Sequence, residues 1–309
     1  VRALVAAPSA PAGLEIRDVD EPRAEPNRAV VDVRAVSLNR GECGALRTAE
    51  DGWRPGWDVA GIVTAAAADG SGPPPGTRVV GWVNGGAWAE RASVRTHHLA
   101  VVPEELTLAV ASTLPVAGLT AAGVLSVTGS LLGKRVAITG GAGGVGRFAI
   151  QLAHMGGAEV TAVVGRPERA EGLSELGADD VIVGLEPEGE TFDLIVESAG
   201  GSSLAAAMSR VAPEGTIVSF GNSSGEAARF DPRTFYRKGA PTMLGYFVTH
   251  ELLAGRTGGS RLAALASLVA DGRLTSKVDL VVPWERAAEA IAALMERRVA
   301  GKAVLTLER

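Results

Sequence analysis

The sequence predicts an α/β protein: a strand-rich first part and a doubly wound parallel sheet in the middle. Three observations predict it. Short apolar runs broken by Gly/Pro clusters fill the first hundred residues. Six more apolar runs, separated by helix-like stretches, follow between residues 135 and 244. A glycine cluster stands directly after the first of those six. With 40 glycines and 16 prolines among 309 residues, many short strands and turns fit better than a helical bundle.

In the first part, Val30–Val36 partly alternates and Gly61–Thr64 and Arg78–Val80 are short strands. Between them, Asp69–Gly76 holds three consecutive prolines, Pro73 to Pro75, which remove three backbone donors and exclude helix or central strand. The six middle runs are Arg135–Thr139, Glu159–Val164, Asp180–Val183, Phe192–Val196, Gly215–Phe220 and Ala240–Leu244. Near the end, Pro283–Met295 reads as an amphipathic helix with Trp284, Ala287, Ala288, Ile291, Leu294 and Met295 on one face. Ala303–Leu307 reads as a closing strand. This order is the one expected when one domain is inserted into another, here 113–250 into 1–112 and 251–309.

Lys+Arg total 30 and Asp+Glu 35, a net charge of −5, so the chain has no general affinity for nucleic-acid phosphates. Cys43 is the single cysteine, which excludes an internal disulfide, a four-cysteine zinc and an iron–sulfur cluster. The apolar run Leu4–Ala7 stops at Pro8, short of a leader's apolar core. Residues 106–133 carry no charge, but Pro115 and four glycines inside them favour a buried helical connection over a membrane span. A cytoplasmic protein without membrane or nucleic-acid partners is expected.

The chemistry-bearing segment is Gly141-Ala142-Gly143-Gly144-Val145-Gly146, set between the strand ending at Thr139 and a helix opening at Arg147. One glycine makes the tight turn, one lets the backbone approach a pyrophosphate, and one lets helix and strand pack closely; the helix N-terminus then offers free amides to the anion. After the next strand come Gly165, Arg166 and, three residues on, Arg169, where a carboxylate would grip the ribose of NADH. Guanidinium groups there suit the 2′-phosphate instead, so NADPH is the expected cofactor. Glu168 lies between the two arginines.

With Ala111–Ala121, Leu176–Asp179 and Gly301–Leu305, these segments resemble the zinc-free quinone oxidoreductases, the zeta-crystallin-like branch of the medium-chain dehydrogenase/reductase superfamily. Ser37-Leu38-Asn39, Gly56–Gly61 and Gly76–Val79 add to the likeness, which covers nearly the whole chain. It implies a GroES-like β-rich catalytic domain built from both chain ends, a Rossmann domain between, and a homodimer. The places that hold the metal in zinc alcohol dehydrogenases of this layout carry Asn39 and Trp57 here. Neither amide nor indole replaces thiolate and imidazole, and Cys43 alone cannot build a site. His97 and His98, if adjacent on a strand, would point to opposite faces, and His154 and His250 lack ligand spacing, so no metal is expected.

Without a Lewis acid, reduction is the natural direction: hydride passes from NADPH to a quinone or to the β-carbon of an enone. The resemblance implies Asn39 and Tyr246 as the candidate catalytic residues, Asn39 as the group that orients the ribose or polarises the acceptor carbonyl, and Tyr246 with Phe247 as the wall of the nicotinamide. It adds Thr120, Ser198, Ala199, Gly221 and Asn222 as cofactor contacts, at the carboxyl ends of parallel strands where such folds bind ligands. Relatives' tyrosine shortly after the asparagine is missing from Arg40–Gly44, which leaves solvent as a proton source. An enoyl-thioester reductase and a non-catalytic NADPH sensor stay open as alternatives.

Overall fold

Runs of β-branched and small apolar residues bounded by glycine turns dominate the chain, and they pair into three sheets. The computed structural model describes residues 1–10, 12–255 and 258–307. In chain order the first strands are β1 (Arg2–Ala6), β2 (Leu14–Asp18), β3 (Arg28–Ser37), β4 (Asp58–Ala65), β5 (Arg78–Trp82), β6 (Arg91–Arg95) and β7 (Leu99–Val101). Next come β8 (Arg135–Thr139), β9 (Glu159–Val164), β10 (Asp180–Val183), β11 (Phe192–Glu197), β12 (Val211–Ser219) and β13 (Thr242–Gly245). β14 (Val278–Pro283) and β15 (Lys302–Thr306) close the series.

The chain divides into two compact units, one of residues 1–119 with 249–309 and one of residues 120–248. In the first, β14-β15-β3-β4-β5-β7 form one sheet, β6 pairs with β3, and β1 pairs antiparallel with β2. Strands from both ends of the chain meet in this sheet, since β15 runs antiparallel to β3 with Leu305 opposite Val36. Its core gathers Val31, Val33, Val59, Val79, Trp88, Trp284 and Leu305, all buried.

The second unit is a six-stranded sheet in the order β10-β9-β8-β11-β12-β13, parallel throughout. This is the doubly wound order, with its switch point between β8 and β11, where chain crossovers leave in opposite directions. Val136, Ala137, Ile138, Leu194, Ile195 and Val196 of the two central strands are completely buried, as expected of strands covered on both faces.

Three expectations need correction. Pro283 ends β14 rather than opening a helix, and the helix proper runs Ala287–Met295 after a single 3-10 turn at Trp284–Arg286. The tighter turn shifts the helix phase, so Ala290 and Ala293 are buried while Ala288 is exposed. His97 and His98 lie on a 3-10 turn, Thr96–His98, not a strand, and their rings meet edge to face with centroids 4.3 Å apart. The uncharged segment does form a buried helical connection: a helix at Leu108–Ala111, a π turn at Leu114–Gly118 and a helix at Leu119–Ser126. Among the described residues no helix is long and apolar enough to cross a membrane.

Candidate active site

The glycine cluster forms a turn that only small residues can build. Gly140 bends the chain out of β8 with φ at +65°, so the left-handed residue stands one position before the cluster read from the sequence. Its signal was the doubled glycine at 140–141. Gly143 caps the helix Gly144–Met155, and no side chain caps that N-terminus. A Cβ on Gly146 would fall 2.3 Å from the Gly140 carbonyl oxygen and 2.7 Å from Gly141 Cα; one on Gly143 would fall 3.2 Å from the same oxygen. The helix thus starts against the turn, and its leading amides are left for an anion.

Loops at neighbouring strand ends converge on this turn. Ser198 follows β11; its N–H donates to Thr139 Oγ1 at 2.8 Å and its hydroxyl to the Thr139 carbonyl at 3.0 Å, tying the tips of β8 and β11 together. Beneath it Glu197, fully buried, accepts from the amides of Ala199 at 3.0 Å and Gly200 at 3.1 Å. Burial pushes its carboxyl up, and these donors act against that. Gly221 and Asn222 follow β12. A Cβ on Gly200, at φ +74°, would meet Asn222 Oδ1 at 2.1 Å, so Gly200 is the residue that lets Asn222 sit here.

At the end of β9, Gly165 and Arg166 are exposed and Arg169 is partly buried. Arg166 Nε stands 4.0 Å from Glu168 Oε2 on the surface, a pairing too weak to outcompete a phosphate. Thr120 is buried in the helix Leu119–Ser126. After β13, Tyr246 takes its backbone register from the Ser219 carbonyl at 2.8 Å. Its hydroxyl end sits on Gly123, where a Cβ would fall 1.8 Å from Oη. Phe247 is about half-exposed, at 52%.

In the β-rich unit, Asn39 caps the short helix Arg40–Ala45, and its backbone N–H donates to Glu42 Oε1 at 2.8 Å. Its side-chain amide donates to Glu42 Oε1 at 3.1 Å and to Asp58 Oδ2 at 2.8 Å, while Oδ1 accepts from Lys302 Nζ at 2.6 Å. Asp58 also accepts from the Ser37 hydroxyl at 2.5 Å and the Val116 amide at 2.9 Å. Both amide hydrogens of Asn39 are therefore spent inside the protein. The expectation that it polarises an acceptor carbonyl loses its donor; one lone pair on Oδ1 is left.

Sequence reasoning missed the other members of this network. Lys302 is buried in the apolar run of β15, and that lone lysine was the available signal. Burial pushes its ammonium down, opposed by Asp58 and Glu42. Burial and the Asp58 charge push Glu42 up to about 8, and its buried Oε2 has no hydrogen-bond partner among the described residues.

Three comparisons place this geometry. Residues 176–305 match the family model described as zinc-binding dehydrogenase. The chloroplast envelope quinone oxidoreductase homolog of Arabidopsis thaliana is 29% identical over 319 residues, covering 95% of this chain and 94% of that protein. A mycobacterial protein solved in complex with NADPH superposes with a TM-score of 0.89 at 25% identity, over 99% of this chain and 100% of that one. Over nearly its whole length the chain is similar to quinone oxidoreductase-like medium-chain dehydrogenases/reductases. Among the similar proteins, the 2-methylene-furan-3-one reductase of Solanum lycopersicum is 35% identical over 160 residues, 47% of this chain and 41% of that protein.

The matched model's name raises the question of zinc, and the donors present in this chain do not fit it. The Asn39 amide is saturated and lies beside a buried ammonium. The Trp57 ring packs toward Gly41, where a Cβ would fall 2.8 Å from Cη2. Cys43 is buried, and burial pushes its thiol up, away from the thiolate a metal needs. The two adjacent imidazoles do face each other, contrary to the sequence expectation. His98 Nε2, however, pairs with the Leu252 carbonyl at 3.0 Å, and burial lowers its pKa to about 4. Among the described residues no three His, Cys, Asp or Glu side chains gather as a metal set.

Proposed function

We propose that this chain is an NADPH-dependent, zinc-independent reductase that delivers hydride to a quinone or to the activated double bond of an α,β-unsaturated carbonyl. The observation that carries this reading is the turn at 140–146: an anion cradle intolerant of a Cβ, at an uncapped helix N-terminus, with Arg166 and Arg169 at the next strand end. The mycobacterial relative's complex with NADPH and the tomato relative's name as an enone reductase support the same cofactor and acceptor class.

When bound, the dinucleotide supplies the hydride. The amides opening the helix at Gly144 hold its pyrophosphate, with Gly141, Ala142, Gly143, Val145 and Gly146 as the wall. Arg166 and Arg169 take the 2′-phosphate, with Gly165 leaving room. Ser198, Ala199, Gly221 and Asn222 line the strand ends beside it, and Tyr246, Phe247 and Thr120 flank the nicotinamide. Asn39, held by Lys302 and Asp58, orients a ribose hydroxyl through the remaining lone pair on Oδ1. Solvent delivers the proton. A homodimer forms along the open edge of β13, whose four residues are all exposed, Met243 at 42% and Leu244 at 40%. Sedimentation velocity showing only monomer at micromolar concentration would remove the dimer from this reading.

The test of the activity is NADPH oxidation in the presence of chelator, against benzoquinones, naphthoquinones, enones and enoyl thioesters, with NADH in parallel. Turnover of a quinone or enone with NADPH is the expected outcome. Silence across the panel with NADPH binding intact would sink the reductase reading, and activity abolished by chelator would sink zinc independence.

A further inference from the structure

Arg54 is a partly buried guanidinium with nothing to neutralise it. Its Nε is buried without a hydrogen-bond partner, and the side chain makes no hydrogen bond or ion pair with the described residues. Arg34 and Arg91 also leave Nε unpartnered, but each pairs with a carboxylate through another nitrogen, Arg34 with Asp32 and Arg91 with Glu21. A charge drawn partly out of water without a partner is unfavourable, and an anionic ligand would relieve it. Consistent with that, burial is the one influence that moves its pKa, downward.

The backbone around Arg54 is rigid. The Arg54 carbonyl accepts from the Gly86 amide at 3.0 Å, and the neighbouring Trp53 carbonyl accepts from Ala6 of β1 at 2.8 Å. Gly85 and Gly86 form a left-handed pair, with φ at +133° and +84°. At Gly86 a Cβ would lie 3.7 Å from both Nε and Nη2 of Arg54, so glycine there keeps residue 86 from packing a side chain against the guanidinium. The same segment carries Trp53 and Trp57, both partly exposed, and Trp57 leads directly to Asp58, which holds Asn39.

We propose that Arg54 binds a carboxylate carried by the acceptor, so that this reductase favours acidic enones or quinones over neutral ones; this rests on the acceptor-side reading given above. A pre-placed guanidinium fork matches a carboxylate bidentately, and aromatic neighbours suit the apolar remainder of a small acid. A single cation fits a carboxylate better than a phosphate, which draws several donors.

The experiment compares a 4-oxo-2-enoate with its methyl ester as acceptors, in the wild type and in Arg54→Gln. KM for the acid should rise by about tenfold to a hundredfold in the variant, as for a lost charge-assisted hydrogen bond, while KM for the ester stays within about twofold. Independently of turnover, the saturated acid 4-oxopentanoate should quench tryptophan fluorescence saturably in the wild type and not in Arg54→Gln. Equal shifts for acid and ester, or no saturable binding of 4-oxopentanoate to the wild type, would overturn the site. Binding lost in the variant with no turnover of either acceptor would overturn the reductase reading and leave the anion site standing. Saturable binding of inorganic phosphate at Arg54, tighter than 4-oxopentanoate, would overturn the choice of carboxylate. Should Arg54→Gln fail to fold, Arg54→Lys replaces it, with a smaller loss confined to the acid expected from a charge without the fork.

Discussion

Lys302 Nζ donates to Asn39 Oδ1 at 2.6 Å across 263 residues of chain, and stands 3.7 Å from Asp58 Oδ2. This pair joins the closing strand to the segment after β3 and gives the Asn39 amide a single orientation, since only its oxygen can face an ammonium.

Removing that ammonium leaves Asp58 and Asn39 buried and short of a partner. Lys302→Met should lower unfolding free energy by about 3–5 kcal/mol in denaturant titrations, and a second change, Asp58→Asn, should restore part of it. A loss under about 1 kcal/mol in Lys302→Met would show that the network does not bear on stability.

Glu42 gives the fold a pH dependence of definite sign. Its carboxyl is raised from 4.5 to about 8, so the folded state keeps a proton that the unfolded chain has released. The contribution is full below about pH 4.5 and is lost as pH rises to about 8. Melting temperature should therefore fall over that window in the wild type, and Glu42→Gln should flatten the fall. Parallel curves for the two proteins would refute the assignment.

Gly123 and Tyr246 form a second coupled pair. A methyl group at 123 meets Oη at 1.8 Å, so Gly123→Ala must displace the ring. It should destabilise by about 1–3 kcal/mol, as overpacking does, and Tyr246→Ala in the same chain should relieve most of that. NADPH affinity should not recover in the double variant, because the ring proposed to flank the nicotinamide is gone. Additive effects in the cycle would contradict the contact.

Arg166→Ala should weaken NADPH by about tenfold to a hundredfold and leave NADH unchanged, the loss expected for one charged contact to phosphate. An unchanged ratio of the two affinities would place the 2′-phosphate elsewhere.

Legibility differed between the two sheets for a physical reason. β8, β9 and β10 coincide with the apolar runs read from the sequence: β8 and β9 because inner parallel strands are covered on both faces and leave continuous apolar text, the edge strand β10 because its run is β-branched. β1, β2, β6, β7 and β14 were not read. β14 alternates exposed residues with half-buried or buried ones and ends in proline, which was read as a helix start. The glycine cluster was legible because each glycine answers a local steric demand, but the left-handed turn belonged to Gly140, just outside the expected pattern. Asn39 was a candidate from the sequence, but its saturation was not legible, because its partners lie 3, 19 and 263 positions away.

By itself the sequence determined the local features: strand runs and a glycine turn before a helix. Arginines stand where an acidic residue would otherwise follow β9, and thiolate and imidazole are missing from the places a metal would need. Each is a property of residues within a few positions of one another, and near-neighbour sterics and charge are enough to read it. Only the tertiary structure decided that Lys302, Asp58 and Glu42 converge on Asn39, that Tyr246 sits on Gly123, and that Arg54 is partly buried with no counter-charge among the described residues. Those depend on which distant strands pair, and burial then turns ordinary side chains into strongly coupled ones, because a charge removed from water must find its partner inside the protein or in a ligand.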